Sequence, residues 1–211
     1  MAAANGDSVQ TQMLAVPLDL ASAQVLADYA VILQDLQFVI ECCRRLLADL
    51  DRPEEERDPV VPQALWSAAL GGYSRCFAYG KKYGLQADDV RGLPLEGEVL
   101  KFHQWVLAEH GKLTGHPNNP FDAAKVGAAL TPPDGDRKVE GIVVLSNRQL
   151  LVDDVGVRQL GGLASELAKQ TSARAQKQQD TVLADAHNLS LDTLYKLPPL
   201  HTGPPEDTQD G

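Results

Sequence analysis

The chain has 211 residues, of which 44% are hydrophobic and 23% charged, an ordinary balance for one globular domain. Its net charge of −10 argues against general binding to phosphate backbones or anionic lipid, because both need clustered lysine and arginine. RNA contact is therefore not supported by the net charge. We expect a cytoplasmic protein without membrane contact, since no apolar run reaches the roughly 20 residues that span a bilayer and the first residues do not resemble a secretory leader.

Composition divides the chain into three segments. Residues 1–17 are small and polar, and we expect them to be flexible. Residues 18–197 are expected to form a single helical-bundle domain, with a β-hairpin inserted at about 123–152. Residues 198–211 are rich in proline and acidic side chains, which predicts a disordered tail.

The first predicted helix is the most regular element. Apolar residues recur from Leu26 to Leu50 at alternating steps of three and four, which is the period of one helix face. We expect Asp19 or Ser22 to cap this helix. A second apolar row widens the stripe and predicts the central helix of a bundle; it contains Val25, Ile32, Val39 and Leu46.

Two further helices follow a charged, proline-rich connection. The second is predicted from about Pro62 to Tyr83 and contains Arg75. The ordinary interpretation of Arg75 is a salt-bridged or snorkelling arginine, and it is also a candidate site residue. The third is predicted to start near Pro94, a residue suited to a first helical turn, and to stop at Pro117.

The pattern then changes to that of a hairpin. Lys125 to Leu130 and Lys138 to Leu145 flank a turn-rich segment, and β-branched residues fill the second strand. Gln149 to Val152 is a candidate third strand. A final helix is predicted over about 155–186, and its polar middle should either be exposed or meet a partner. The predicted fold class is mainly α: an antiparallel bundle of about four helices with a small inserted β-hairpin.

Residues that can do chemistry concentrate between Phe102 and Phe121. This stretch holds His103, His110 and His116, three of the five histidines in the chain. A seven-residue helical step spans about 10 Å, which is too far for His103 and His110 to share one ion easily, so we expect no metal site. Lys112, Asn118 and Asn119 are further candidates in the same stretch.

Motifs for cofactor chemistry are missing from the sequence. It has no glycine-rich phosphate loop, no nucleophile elbow and no zinc-binding His-Glu-x-x-His helix, so we expect no cofactor. The cysteines at positions 42, 43 and 76 form no Cys-x-x-Cys pair, and we interpret them as small apolar fillers.

Two segments carry a family resemblance. ALWSAALGGYSRCFAYGKKYGL (64–85) and FHQWVLAEHGKLTGHPNNPFD (102–122) resemble a group of uncharacterised bacterial proteins related to the HEPN superfamily. The resemblance implies a helical bundle that dimerises, with an arginine and a histidine supporting metal-independent RNA cleavage. In register, the motif histidine falls on His116 and its lysine on Lys112, but the motif arginine falls on His110.

Three functional hypotheses follow from this departure. The first is a catalytically degenerate HEPN-like protein that acts by binding a protein or RNA partner. The second is a metal-independent endoribonuclease of toxin or defence type, with His110, Lys112 and His116 at its catalytic site. The third is a structural or assembly protein that uses the polar half of its C-terminal helix.

Overall fold

The computed structural model describes residues 14–77, 84–114, 124–146 and 153–200. It confirms the predicted fold class, because four long helices form the body of the protein and one two-stranded antiparallel sheet interrupts them. The elements in chain order are α1 (Ala21–Leu50), α2 (Val60–Cys76), α3 (Ala87–Arg91), α4 (Val99–Thr114), β1 (Ala124–Leu130), β2 (Val139–Ser146), α5 (Asp154–His187) and α6 (Leu191–Leu194). A single 3-10 turn, Glu54–Glu56, precedes α2.

Helix α1 is the central helix of the bundle, as its wide apolar stripe predicted. Both apolar rows contribute buried residues, Leu36 from one row and Ile32 and Val39 from the other. Helices α2 and α5 pack on α1 and run antiparallel to it. The direction of α5 follows from its C-terminal end, where Asp185 accepts a hydrogen bond of 2.6 Å from the hydroxyl of Ser22 at the start of α1.

Two glycines allow these helices to approach closely. A Cβ added to Gly72 of α2 would lie 3.0 Å from Cγ2 of Val39, and one added to Gly161 of α5 would lie 3.3 Å from Cβ of Cys43. Any larger residue at Gly72 would overlap Val39, so the α1–α2 distance depends on that glycine.

The start of α1 differs from the prediction. The helix begins at Ala21 after Leu20, and no side chain caps it. Ser22 uses its hydroxyl to bond Asp185 of α5, and this tertiary contact replaces the predicted local cap. The proposed capping role of Asp19 or Ser22 was therefore wrong.

The segment between α2 and α4 also differs. Helix α4 begins at Val99 rather than near Pro94, because Gly97 turns the chain with a φ of 87°, in the left-handed region. The sequence analysis did not predict the short helix α3, which starts where the backbone N–H of Gln86 donates to Asp89 at 2.7 Å. Helix α2 ends at Cys76, and residues 78–83 lie outside the described part.

The polar half of α5 is mostly exposed, which is the first of the two outcomes predicted for it. It is joined to the body of the protein at a few points. Thr171 is fully buried, Arg174 pairs with Asp89 of α3, and the side chain of Gln178 donates to the carbonyl of Ser22 at 2.9 Å.

The hairpin closely follows its prediction. Strands β1 and β2 pair antiparallel from Ala124 opposite Ser146 to Leu130 opposite Val139, with one irregularity near the turn. The candidate third strand at 149–152 lies outside the described residues. Within the described ranges, no helix has both the length and the apolar character needed to cross a membrane. The two ends of the described chain meet where Leu200 donates its N–H to the carbonyl of Ala15 at 2.8 Å.

Candidate functional site

The structure separates the predicted site residues into distinct environments. His103, His110 and Lys112 all lie on α4, and Arg75 lies on α2. His116, Asn118 and Asn119 lie outside the described residues.

His103 is a core residue. Only 3% of its surface is exposed, and its Nδ1 lies 2.8 Å from the hydroxyl oxygen of Tyr73 on α2. The rings of Tyr73 and Phe77 surround it, with the Phe77 centroid 4.5 Å from that of the imidazole. Burial lowers the pKa of His103, which favours the neutral imidazole, and raises the pKa of Tyr73. The pair therefore joins α4 to α2 as two neutral, hydrogen-bonded side chains.

Arg75 is held by a carboxylate on the central helix. Its Nε and Nη2 donate to one oxygen of Asp35 at 3.1 and 2.8 Å, and this hydrogen bonding raises the pKa of Arg75. The salt-bridged interpretation from the sequence is confirmed. The contact crosses from α2 to α1, so it also helps to orient the two helices.

Arg75 and His110 both lie close to Gly71. The position that a Cβ would occupy on Gly71 lies 3.9 Å from Arg75 Nη1 and 3.9 Å from His110 Nε2. These two atoms, one from a permanent cation and one from an acid–base group, are therefore within about 8 Å of each other. The sequence analysis named both residues separately, and only the helix crossing shows that both lie beside Gly71.

Lys112 is committed to a local ion pair. Its Nζ lies 2.5 Å from a carboxylate oxygen of Glu109, three residues earlier on the same helix. Exposed pairs of this kind contribute little to stability, but the carboxylate offsets the charge of the lysine. Lys112 therefore does not add a strong positive field near His110.

A second feature, which the sequence analysis missed, is an aromatic groove. It has a volume of about 600 Å³ and lies between the N-terminal parts of α4 and α5. Phe102 and Trp105 form its aromatic wall, with ring centroids 5.5 Å apart, and Trp105 is 43% exposed. We call this feature the aromatic groove; its lining includes Leu95, Val99, Phe102, Trp105, Gly162 and Leu163. The sequence contains one indication of this groove: Phe102 and Trp105 are three residues apart, which places them on the same face of a helix.

Both basic side chains at the aromatic groove are paired with carboxylates. Lys101 bonds Glu98, and Arg158 lies 3.4 Å from Asp154. Glu96 is a further carboxylate in the lining, so the groove combines an apolar wall with a rim that has no excess of positive charge.

The described ranges contain no group of three or more histidine, cysteine, aspartate or glutamate side chains that could hold a metal ion. The three cysteines are buried and form no disulfide, and burial raises the pKa of Cys43 to about 12. Its thiol stays protonated at neutral pH, which fits the predicted role of an apolar filler.

No family model, curated protein or solved structure matches this chain.

The buried His103 predicts a pH-dependent stability. Since its pKa is lower in the folded state than in the unfolded state, the unfolded chain binds more protons as the pH falls. We expect the free energy of unfolding to be fully retained above about pH 6.5 and to decrease below it, by at most about 1.4 kcal/mol per pH unit from this residue. Urea unfolding at several pH values measures this slope.

The variant His103→Gln should remove that part of the slope, because an amide can bond Tyr73 without titrating. His187→Gln, at the exposed end of α5, is the control for loss of an imidazole outside the core. An equal pH dependence in the wild type and in His103→Gln would contradict the assignment.

Proposed function

We propose that this chain is a HEPN-like helical protein without catalytic activity, which acts by binding a protein partner through the aromatic groove. The observation that carries the proposal is the 43% exposure of Trp105 beside an apolar groove of about 600 Å³. Ligand-binding clefts commonly have volumes of about 300–1,000 Å³, and tryptophan is enriched among the residues that dominate binding energy at interfaces.

The charge of the groove supports an apolar protein segment as its ligand. Lys101 and Arg158 are both offset by carboxylates, so no unpaired basic patch accompanies the exposed indole. Single-stranded RNA binding combines aromatic stacking with a positively charged path for the backbone. A hydrophobic side chain from a protein partner needs only the apolar wall, which suits a chain with a net charge of −10.

The state of the candidate catalytic groups supports the loss of activity. His103 is buried against Tyr73, Arg75 bonds Asp35, and Lys112 pairs with Glu109. The HEPN-like frame also has His110 where the resemblance places an arginine. Location in the cytoplasm belongs to this proposal as well.

The groove can be blocked by one substitution. Gly162 lines it, and a Cβ added there would have no neighbour within 4 Å. Peptides that bind the wild type are first selected from a random library. We expect Gly162→Leu to fill the groove and to raise the Kd of these peptides by at least about tenfold. Titration followed by fluorescence anisotropy of labelled peptide measures the loss.

Gly111→Leu is the matched control, because Gly111 lies on α4 outside the groove and also has open space at its Cβ position. Both variants should keep the helical circular-dichroism signal, since leucine is a better helix former than glycine. Equal peptide affinity in both variants, or selected peptides without apolar residues, would contradict the proposed groove.

The approach of Arg75 to His110 favours a second candidate function, the metal-independent endoribonuclease. The guanidinium of Arg75 is a possible replacement for the missing motif arginine, because it lies across Gly71 from the imidazole. Cleavage would need an acid or base and a cation at the phosphate, and these two side chains are of the required types. Asp35 opposes this function by offsetting the charge of Arg75.

An RNA cleavage assay separates the two functions. With mixed RNA and a metal chelator at neutral pH, we expect no cleavage by the wild type. Cleavage that is lost in both Arg75→Lys and His110→Asn would support the ribonuclease and contradict the leading proposal. Arg44→Lys is the control for loss of a guanidinium, since Arg44 pairs with Glu41 on an exposed part of α1.

The third hypothesis, assembly through the polar half of the last helix, receives less support. Arg174 and Gln178 bond groups within the same molecule, which leaves fewer polar side chains of α5 for a partner.

A further inference from the structure

The hairpin has one face made of apolar side chains. Residues directly opposite in the antiparallel register project to the same face, so Val126 shares a face with Val144, and Ala128 shares it with Ile142. Leu130 and Val139 extend this row toward the turn. We call the set the hairpin apolar face; its members are Val126, Ala128, Leu130, Val139, Ile142 and Val144.

The hairpin apolar face is open to solvent. Its five larger side chains are between 62% and 70% exposed. Among the described elements, the extensive contacts of β1 and β2 are with each other and not with the helices. Both outer strand edges of this two-stranded sheet are also open within the described residues.

Such a hairpin needs additional packing. A two-stranded sheet alone is marginally stable in water, and a hydrophobic face must be buried to hold it. The terminal segments of this chain are poor candidates for the cover. Residues 201–211 contain no large apolar side chain, and residues 1–13 contain only Met1, Val9 and Met13 among mostly small and polar neighbours.

We propose that the hairpin apolar face packs against the same face of a second copy of this chain, forming a homodimer. The first argument is charge. Residues 124–146 contain three basic and three acidic side chains, whereas the whole chain carries a net charge of −10. Two copies repel each other least where they meet through this neutral segment. The same face on both partners also satisfies the symmetry of a twofold dimer.

The second argument is area. Five aliphatic side chains with this exposure present roughly 500 Å² of apolar surface per copy, so a face-to-face pair buries roughly 1,000 Å², which reaches the lower range of specific interfaces. The interface is therefore large enough for a reversible dimer, and the hairpin gains packing that the described residues of its own molecule do not supply.

Sedimentation velocity of the full chain over a hundredfold range of concentration tests the proposal. We expect a monomer–dimer equilibrium in the wild type. Ile142→Lys should weaken association by at least about tenfold, because it places a charge in the apolar contact. Leu145→Lys is the matched control on the opposite face, where the side chain is 66% exposed, and it should keep the dimer.

A pair of oppositely charged variants distinguishes loss of the interface from unfolding of the hairpin. We expect a mixture of Ile142→Lys and Ile142→Glu to associate more strongly than either variant alone. A wild type that stays monomeric throughout, equal association in the two lysine variants, or no gain on mixing would overturn the proposal. Gly162→Leu should not change the monomer–dimer equilibrium. The groove proposal and the dimer proposal can therefore fail independently, because each has its own variant and its own measurement.

Discussion

The rest of the structure depends on the burial of α1 against two helices at once. Its apolar stripe is too wide for one partner, and Gly72 and Gly161 let α2 and α5 come close enough to cover both sides. Once α2 is fixed in this way, Tyr73 is placed in the core, where it meets His103 and sets the position of α4. The contacts that close the bundle therefore also decide which faces of α4 remain outside.

This constraint explains why the histidine-rich helix is divided between structure and surface. His103 and Val106 share the buried face of α4, and Trp105 lies beside them at the solvent boundary. The burial that makes His103 a neutral core residue thus turns the indole toward the aromatic groove. Of the polar groups that suggested catalysis, His103, Arg75 and Lys112 have partners within the molecule. The aromatic groove and the hairpin apolar face, in contrast, are exposed in the described part of the chain.

The periodicity of apolar residues predicted the long helices and the hairpin strands. The stripe of α1, the length of α5 and the two strands of the hairpin follow from local patterns that the structure reproduces. The start of α1 was mispredicted because Ser22 bonds a residue 163 positions away, which no local rule detects. Helix α3 was missed because five residues are too few for a periodic signal.

The candidate site was predictable only in part. Arg75 was correctly interpreted as salt-bridged, whereas His103 was named as a candidate for chemistry and is a core residue. The approach of Arg75 to His110 depends on how two helices cross, and the aromatic groove depends on the distance between α4 and α5. Both features depend on how two helices pack, so the sequence of one helix alone cannot reveal them.

We propose that this protein works through two separate apolar surfaces, one for a partner and one for its own copy. Hydrogen–deuterium exchange of the full chain, measured at low and high concentration and with a selected peptide, tests both together. We expect a rise in concentration to protect residues 124–146, and the peptide to protect residues 95–105 and 158–163. No change in either region, or protection centred on Arg75 and His110 when RNA is added, would contradict the claim.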